Sequence, residues 1–194
     1  MQKQFLVIIT VCLVLTGCMS SGPEPSLVSG NCTNLCSERW WKTATLADLK
    51  TEIKIGENVN ATNTDGNSPL HFAASYDNKS AYVKTLINAG AKLSRRDKYG
   101  NTPMFYAVII KNNDTVKLLL DAGASPDIRN INGQTTVHVA VISNNIVGLK
   151  SLLDAGADPM IRDNTGESPL GYANNDLNTD AMIAIVNSKN YSLN

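Results

Sequence analysis

The stretch "DGNSPLHFAASYDNKSAYVKTLINAGAKL", Asp65 to Leu93, holds two short phrases, "SPLH" and "NAGA", that echo further along the chain. Aligned on its glycine, the first phrase reads "DGNSPLHFAA" from Asp65, "YGNTPMFYAV" from Tyr99, "NGQTTVHVAV" from Asn132 and "TGESPLGYAN" from Thr165. The glycines Gly66, Gly100, Gly133 and Gly166 are 34, 33 and 33 residues apart. "AGA" returns at Ala89, Ala122 and Ala155 with a spacing of 33, and "IGE" with Gly56 is a degenerate copy 34 residues before Gly90. Two independent landmarks with one period identify a repeat array.

Each repeated position has a physical task. Ser68, Thr102, Thr135 and Ser168 are hydroxyl residues suited to cap a helix N-terminus. Pro69, Pro103 and Pro169 follow at the first helical position, where a missing N–H is harmless. A second helix carries apolar columns at helical spacing: Val83, Val116 and Leu149; Leu86, Leu119 and Leu152; Ile87, Leu120 and Leu153. Ala89, Ala122 and Ala155 are expected to be small where helices end and pack closely, and Gly90, Gly123 and Gly156 to end those helices in the left-handed conformation.

The 33-residue period and the T-P-L-H-x-A signature resemble the ankyrin repeat, from about Thr33 to the C-terminus. The resemblance implies an all-α solenoid of stacked helix pairs with finger loops, in which no repeat buries its own apolar face and stability comes from neighbours. It implies an inter-repeat hydrogen-bonding role for His71 and His138, which Phe105 and Gly171 replace in the other two copies. One extra residue between the first two repeats is expected in the helix–helix turn near Tyr76–Asn78, and Thr136, in place of proline, is expected to weaken helix initiation slightly. "CSERWWKTATLADLKTEIKIG" resembles an aromatic-rich first helix pair, with Trp40 and Trp41 covering the end of the stack, and "TDAMIAIVNSKN" a C-terminal cap.

The family resemblance also implies binding to other proteins through finger tips and the inner helix surface. On the fingers, Arg96, Arg129 and Arg162 fall in one column, with Lys98, Tyr99 and Ile131 beside them; on the first helices, Tyr76, Ile109, Ile110 and Ile142 occupy sites that the family leaves variable. A cationic strip beside apolar groups suits a partner with an acidic rim and an apolar anchor. The arginines have a structural alternative, pairing with Asp97 or Asp163, and the isoleucines another, packing between helices.

Ahead of the repeats stands a different kind of segment. "MQKQ" precedes the apolar run "FLVIITVCLVL", Phe5 to Leu15, whose eleven residues fit a signal-peptide core but not a bilayer span of about twenty. "LTGC", ending at Cys18, resembles the bacterial lipobox, which implies cleavage after residue 17 and a lipid anchor on Cys18; an ordinary secretory signal with Cys18 as a spare thiol is the alternative. Met19 and Ser20 include no inner-membrane retention aspartate, so the resemblance points to the outer membrane, facing the periplasm. Residues 1–17 then read as signal, 18–31 as a lipidated, Ser/Gly/Pro-rich tether, 32–65 as capping helices with a degenerate first repeat, and 66–194 as the repeats. In an exported chain Cys32 and Cys36, four apart, are expected to form a local disulfide in preference to remaining thiols or holding a metal.

The chain has 194 residues, with 17 basic and 17 acidic groups, so no general attraction to nucleic acid is implied. There is no G-x-S-x-G, H-E-x-x-H, phosphate loop or dinucleotide fingerprint. The expectation is a non-enzymatic, monomeric, envelope-tethered binder without cofactor or metal, acting as an inhibitor, an immunity-type protein or a stabiliser of a periplasmic protein. A structural tether or spacer is the alternative.

Overall fold

The computed structural model describes residues 34–175 and 178–188. Among the described residues ten α-helices follow in chain order: α1 (Glu38–Thr43), α2 (Leu46–Lys54), α3 (Pro69–Ala74), α4 (Ser80–Asn88), α5 (Pro103–Ile109), α6 (Asn113–Asp121), α7 (Thr136–Ile142), α8 (Ile146–Asp154), α9 (Pro169–Asn175) and α10 (Thr179–Val186). At six to nine residues each, none is long enough to be stable alone in water, where isolated helices need about 12–15 residues. Stability therefore comes from packing. Consecutive helices pair, α3 packs on α5, α5 on α7 and α7 on α9, while the second helices make a parallel row from α2 to α10. We number the pairs α3/α4 to α9/α10 as repeats 1 to 4; α1/α2 stands before them.

The local chemistry explains the boundaries. Ser68, Thr102 and Thr135 sit in extended conformation immediately before α3, α5 and α7. In repeats 1 and 3 the histidine closes the cap: the Ser68 N–H donates to His71 Nδ1 at 3.0 Å and the Thr135 N–H to His138 Nδ1 at 3.1 Å. Thr136 stands at the first position of α7, where the other copies carry proline. Its Oγ1 donates to the Pro126 carbonyl at 2.7 Å, a bond proline cannot make.

The second helices α4, α6 and α8 each end in a Schellman turn. Gly90 has φ +85°, and the Ala91 N–H reaches back to the Leu86 carbonyl at 2.9 Å; Ala124 and Ala157 repeat the bond to Leu119 and Leu152. This turn corrects one sequence expectation. The first alanine of each "AGA" caps its helix, and Ala122 and Ala155 are exposed, whereas the second alanine, at 91, 124 and 157, is buried. Once the chain turns left-handed at glycine, it is the residue after it that faces the core.

The core runs along both helix rows. Val83, Val116, Leu149, Leu86, Leu119 and Leu152 are all fully buried, and each such side chain contributes about 1.5–3 kcal/mol of burial free energy. Of the third column only Leu153 is buried; Ile87 and Leu120 are half-buried. The extra residue lies where expected, because residues 75–79 separate α3 from α4 while only 110–112 separate α5 from α6. Before repeat 1, Trp41 is wholly buried, stacking on Phe72 at 6.4 Å and donating its Nε1–H to the Leu35 carbonyl at 2.8 Å; Trp40 meets it edge-on at 5.1 Å. Thus Trp41 belongs to the core, and Trp40 is the partly covered outer ring. At the far end α10 buries Ala181, Ala184 and Ile185 but exposes Ile183 and Val186, a more apolar face than a polar cap implies.

Candidate protein-binding surface

The fingers are built on a short polar residue that recurs at Asn63, Asp97, Asn130 and Asp163. Each accepts the backbone N–H groups two and four residues on; for Asp97 these are Tyr99 at 2.8 Å and Asn101 at 2.9 Å. Asp97 Oδ2 also accepts the Tyr106 hydroxyl, and Asp163 Oδ2 the Tyr172 hydroxyl, both at 2.6 Å. Burial pushes the Tyr106 phenol up, and its bond to Asp97 pushes it the same way. Burial would also raise the Asp163 carboxyl, but the bonds from Thr165, Tyr172 and Glu167 outweigh it and hold the group below its usual range.

Neighbouring fingers are laced together by backbone bonds: Lys98 N–H to the Asp65 carbonyl at 2.7 Å, Ile131 N–H to Tyr99 at 3.0 Å, Asn164 N–H to Asn132 at 2.9 Å. The arginine column joins this lacing rather than pairing with Asp97 or Asp163. Arg96 donates Nε–H to the Gly100 carbonyl at 3.2 Å and an Nη2–H to the Arg129 carbonyl at 2.7 Å. Arg129 repeats the pattern on Gly133 at 2.9 Å and Asn164 Oδ1 at 3.2 Å, and Arg162 bonds the Gly166 carbonyl at 2.8 Å. All three remain exposed. They are finger staples first, because the buried aspartates are already occupied by backbone and tyrosine donors.

The other candidate residues divide. Lys98 pairs with Asp65 at 2.7 Å and lies 5.0 Å from the Tyr99 ring, with the carboxylate holding its ammonium above the usual lysine range. Ile131 is 58% exposed at its finger tip, beside half-buried Tyr99. Tyr76 and Ile109 are half-buried and pack against the core, and Ile110 and Ile142 are also half-buried, so the inner-helix isoleucines are not an open apolar strip. Cys18 and Cys32 lie outside the described residues; Cys36 is disulfide-bonded and nearly buried. Among the described residues no group of three His, Cys, Asp or Glu is placed to hold a metal, and no helix is long and apolar enough to cross a membrane.

Both histidines face the next repeat. With Nδ1 accepting the cap N–H, Nε2–H of His71 donates to the Asn101 carbonyl at 3.1 Å and that of His138 to the Glu167 carbonyl at 3.3 Å. Burial lowers both imidazoles, His71 to about 4, so each is neutral at pH 7.

Sequence reasoning missed a column at Lys79, Asn112, Asn145 and Asn178, spaced 33 throughout. The three asparagines cap the second helices, and each sends Nδ2–H back to the preceding repeat, for example Asn145 to the Val108 carbonyl at 3.0 Å. Lys79 takes that place in repeat 1. Its Nζ donates to the Ala44 carbonyl at 2.9 Å and lies 4.1 Å from the Tyr82 ring, 5.9 Å from Tyr76 and 6.0 Å from Trp41. The buried ammonium thus bolts the first helix pair to the stack, and burial lowers its pKa. The 33-residue spacing was the available signal.

A row of stacked helix pairs with laced fingers is an interaction scaffold. The family model for ankyrin repeats (three copies) matches residues 45–130 and 109–194, and the chain belongs to that family. Over 51 residues it is 43% identical to an ankyrin repeat protein of fowlpox virus, which covers 26% of this chain and 27% of the viral one. The potassium channel KOR2 of rice is 38% identical over 56 residues, 29% of this chain and 8% of the channel. An ankyrin repeat and LEM domain-containing protein 1 homolog of Caenorhabditis elegans is 38% identical over 60 residues, 31% and 8%. The chain therefore spans little more than a quarter, or less, of the relatives it matches. Ankyrin repeats are protein-interaction modules, and a protein partner follows from the family.

Proposed function

We propose that this chain is an envelope-tethered protein-binding module, held by a lipid on Cys18 at the outer membrane and facing the periplasm, where it inhibits or stabilises a partner protein. The anchor rests on the apolar run Phe5–Leu15 followed by Leu-Thr-Gly-Cys. Binding rests chiefly on one observation. The finger edge leaves Ile131 open beside Tyr99 and exposed cations, although the core behind it is closed. Occupancy of the partner's surface is the mode of action.

A photo-crosslinking amino acid at Ile131 or at Ile110, with Lys117 on α6 as the control, tests this in intact cells. The expected result is a discrete crosslinked protein from the first two positions only, together with a mature chain whose intact mass begins at a lipidated Cys18. Crosslinks equal at all three positions, or none, point to a spacer instead. A soluble product with an unmodified Cys18 overturns the tether.

A further inference from the structure

The chain is neutral overall, but its fingers are not alike. Between Ala91 and Asn101 lie Lys92, Arg95, Arg96 and Lys98 against a single acid, Asp97, which is buried and committed to the turn. All four cations are exposed. The following finger holds one basic and one acidic residue, Arg129 and Asp127, and the last combines Arg162 with Asp158, Asp163 and Glu167. Positive charge is thus concentrated on one finger, and the exposed Ile131 adjoins it, tied to Tyr99 through its own N–H.

We infer that this finger docks an acidic protein segment carrying an apolar side chain, which rests on Tyr99 and Ile131 while carboxylates meet Lys92, Arg95 and the outward donors of Arg96. The inference rests on the protein-binding reading and names the chemistry of the partner. Complementary charge around a small apolar anchor sets orientation and on-rate. An anionic bilayer fits less well. A flat surface laid along all the fingers would also meet exposed Asp158, which holds on the last finger the place that Lys92 holds here, whereas a single extended segment touches only the cationic finger. The three-arginine line is not required, because Arg129 is committed to Gly133 and Asn164, and Arg162 to Gly166.

The test uses the full chain and a labelled peptide of four glutamates around a central leucine, with one variant replacing the glutamates by lysine and another replacing leucine by glycine. The variant Lys92→Glu with Arg95→Glu spares Arg96 and Lys98, which hold fingers together. The expected results are amide shifts confined to residues 92–99 and 131, affinity that falls with salt, and at least about a tenfold loss in the charge-reversed protein. Unchanged thermal unfolding of that variant separates lost binding from lost folding. Equal binding of the lysine or glycine peptide, or shifts elsewhere, overturns the inference. So does binding of vesicles of phosphatidylcholine with phosphatidylglycerol through these residues when the peptide does not bind. A partner crosslinked at Ile110 with no peptide response leaves the module reading standing and refutes this one.

Discussion

Where repeat 1 meets repeat 2, and again where repeat 3 meets repeat 4, an imidazole sits edge-on to a tyrosine, at 5.8 Å for His71–Tyr106 and 6.0 Å for His138–Tyr172. That tyrosine bonds a buried aspartate of its own repeat. Where repeat 2 meets repeat 3, Phe105 replaces the histidine, Val139 the tyrosine and Asn130 the aspartate. The link there is amide to amide, Asn130 Nδ2–H to Asn101 Oδ1 at 3.2 Å, with the Arg96 staple beside it. Histidine–tyrosine junctions thus alternate with a phenylalanine–valine junction, so the polar pattern has a two-repeat period although the backbone has a one-repeat period. The apolar columns do not alternate. Burial makes the stack, and the alternation specifies which repeat may follow which: repeat 1 placed directly on repeat 3 would meet Val139 and Asn130 in place of its tyrosine–aspartate pair.

The largest effect should be the one that ignores the alternation. Replacing Leu119 with alanine in repeat 2 should cost about 2–5 kcal/mol, as for other buried leucines, and Leu86→Ala and Leu152→Ala should cost the same range. Urea unfolding measures all three. A loss near half a kilocalorie at Leu119 alone would show that the middle junction is not packed like its neighbours.

Acid should act on the two histidine junctions and spare the third. Burial holds the folded-state pKa of His71 at about 4, below the ordinary imidazole value of about 6.5, so the unfolded chain binds the proton first. Its contribution is complete above about pH 6.5 and is lost as pH falls toward 4, up to roughly 3 kcal/mol; His138 shifts in the same direction. Denaturation at pH 7 and pH 4.5 should show a smaller acid loss in His71→Phe, which installs the repeat 2 residue. An unchanged pH slope in that variant would remove the histidine from the account.

The tyrosine–aspartate pair can be tested as a unit. Tyr106→Phe removes a donor from a buried carboxylate and should cost about 1–3 kcal/mol. Adding Asp97→Asn should recover at least part of this, since repeat 1 already combines Asn63 with Phe72, and asparagine keeps the acceptor for Tyr99 and Asn101. If the second change deepens the loss, the residues alternate without being matched.

How far the chain could be read in advance depends on the kind of signal. The helix pairs were legible because proline, hydroxyl caps and glycine act locally, and the hydroxyl cap returns in all four copies with proline after it in three. Two of the three core columns were legible for the same reason, while the third is half-buried at Ile87 and Leu120. The "AGA" alanine failed because a one-residue reversal at glycine decides which alanine faces inward, and spacing alone cannot see a positive φ. The finger edge was legible as a location but not as an interaction. Arg96 and Arg129 bond carbonyls contributed by backbone, which carry no residue identity to match. The alternation of Asp97 and Asp163 with Tyr106 and Tyr172 was visible in principle, but only when two columns nine residues apart are read together.

The smallest predicted effect concerns the inner turns at the ends of α5 and α7. Lys111 has φ +61° and Asn144 φ +52°, so both occupy the left-handed region without being glycine. Asparagine tolerates that conformation through local hydrogen bonding, whereas lysine carries the full clash of its Cβ with the backbone, about 1–2 kcal/mol. The backbone bonds do not depend on the side chain: the Lys111 N–H reaches the Val108 carbonyl at 3.2 Å and the Asn112 N–H the Ala107 carbonyl at 2.9 Å. Lys111→Gly therefore relieves strain in the native state, while glycine's extra freedom in the unfolded chain offsets part of the gain. The expected net stabilisation is about 0.5–1 kcal/mol, with less for Asn144→Gly. Thermal unfolding of the two variants side by side checks the ordering. A destabilised Lys111→Gly would mean that the exposed lysine holds this turn by contacts of its own, and that repeats 2 and 3 differ at their inner turns for a reason other than backbone strain.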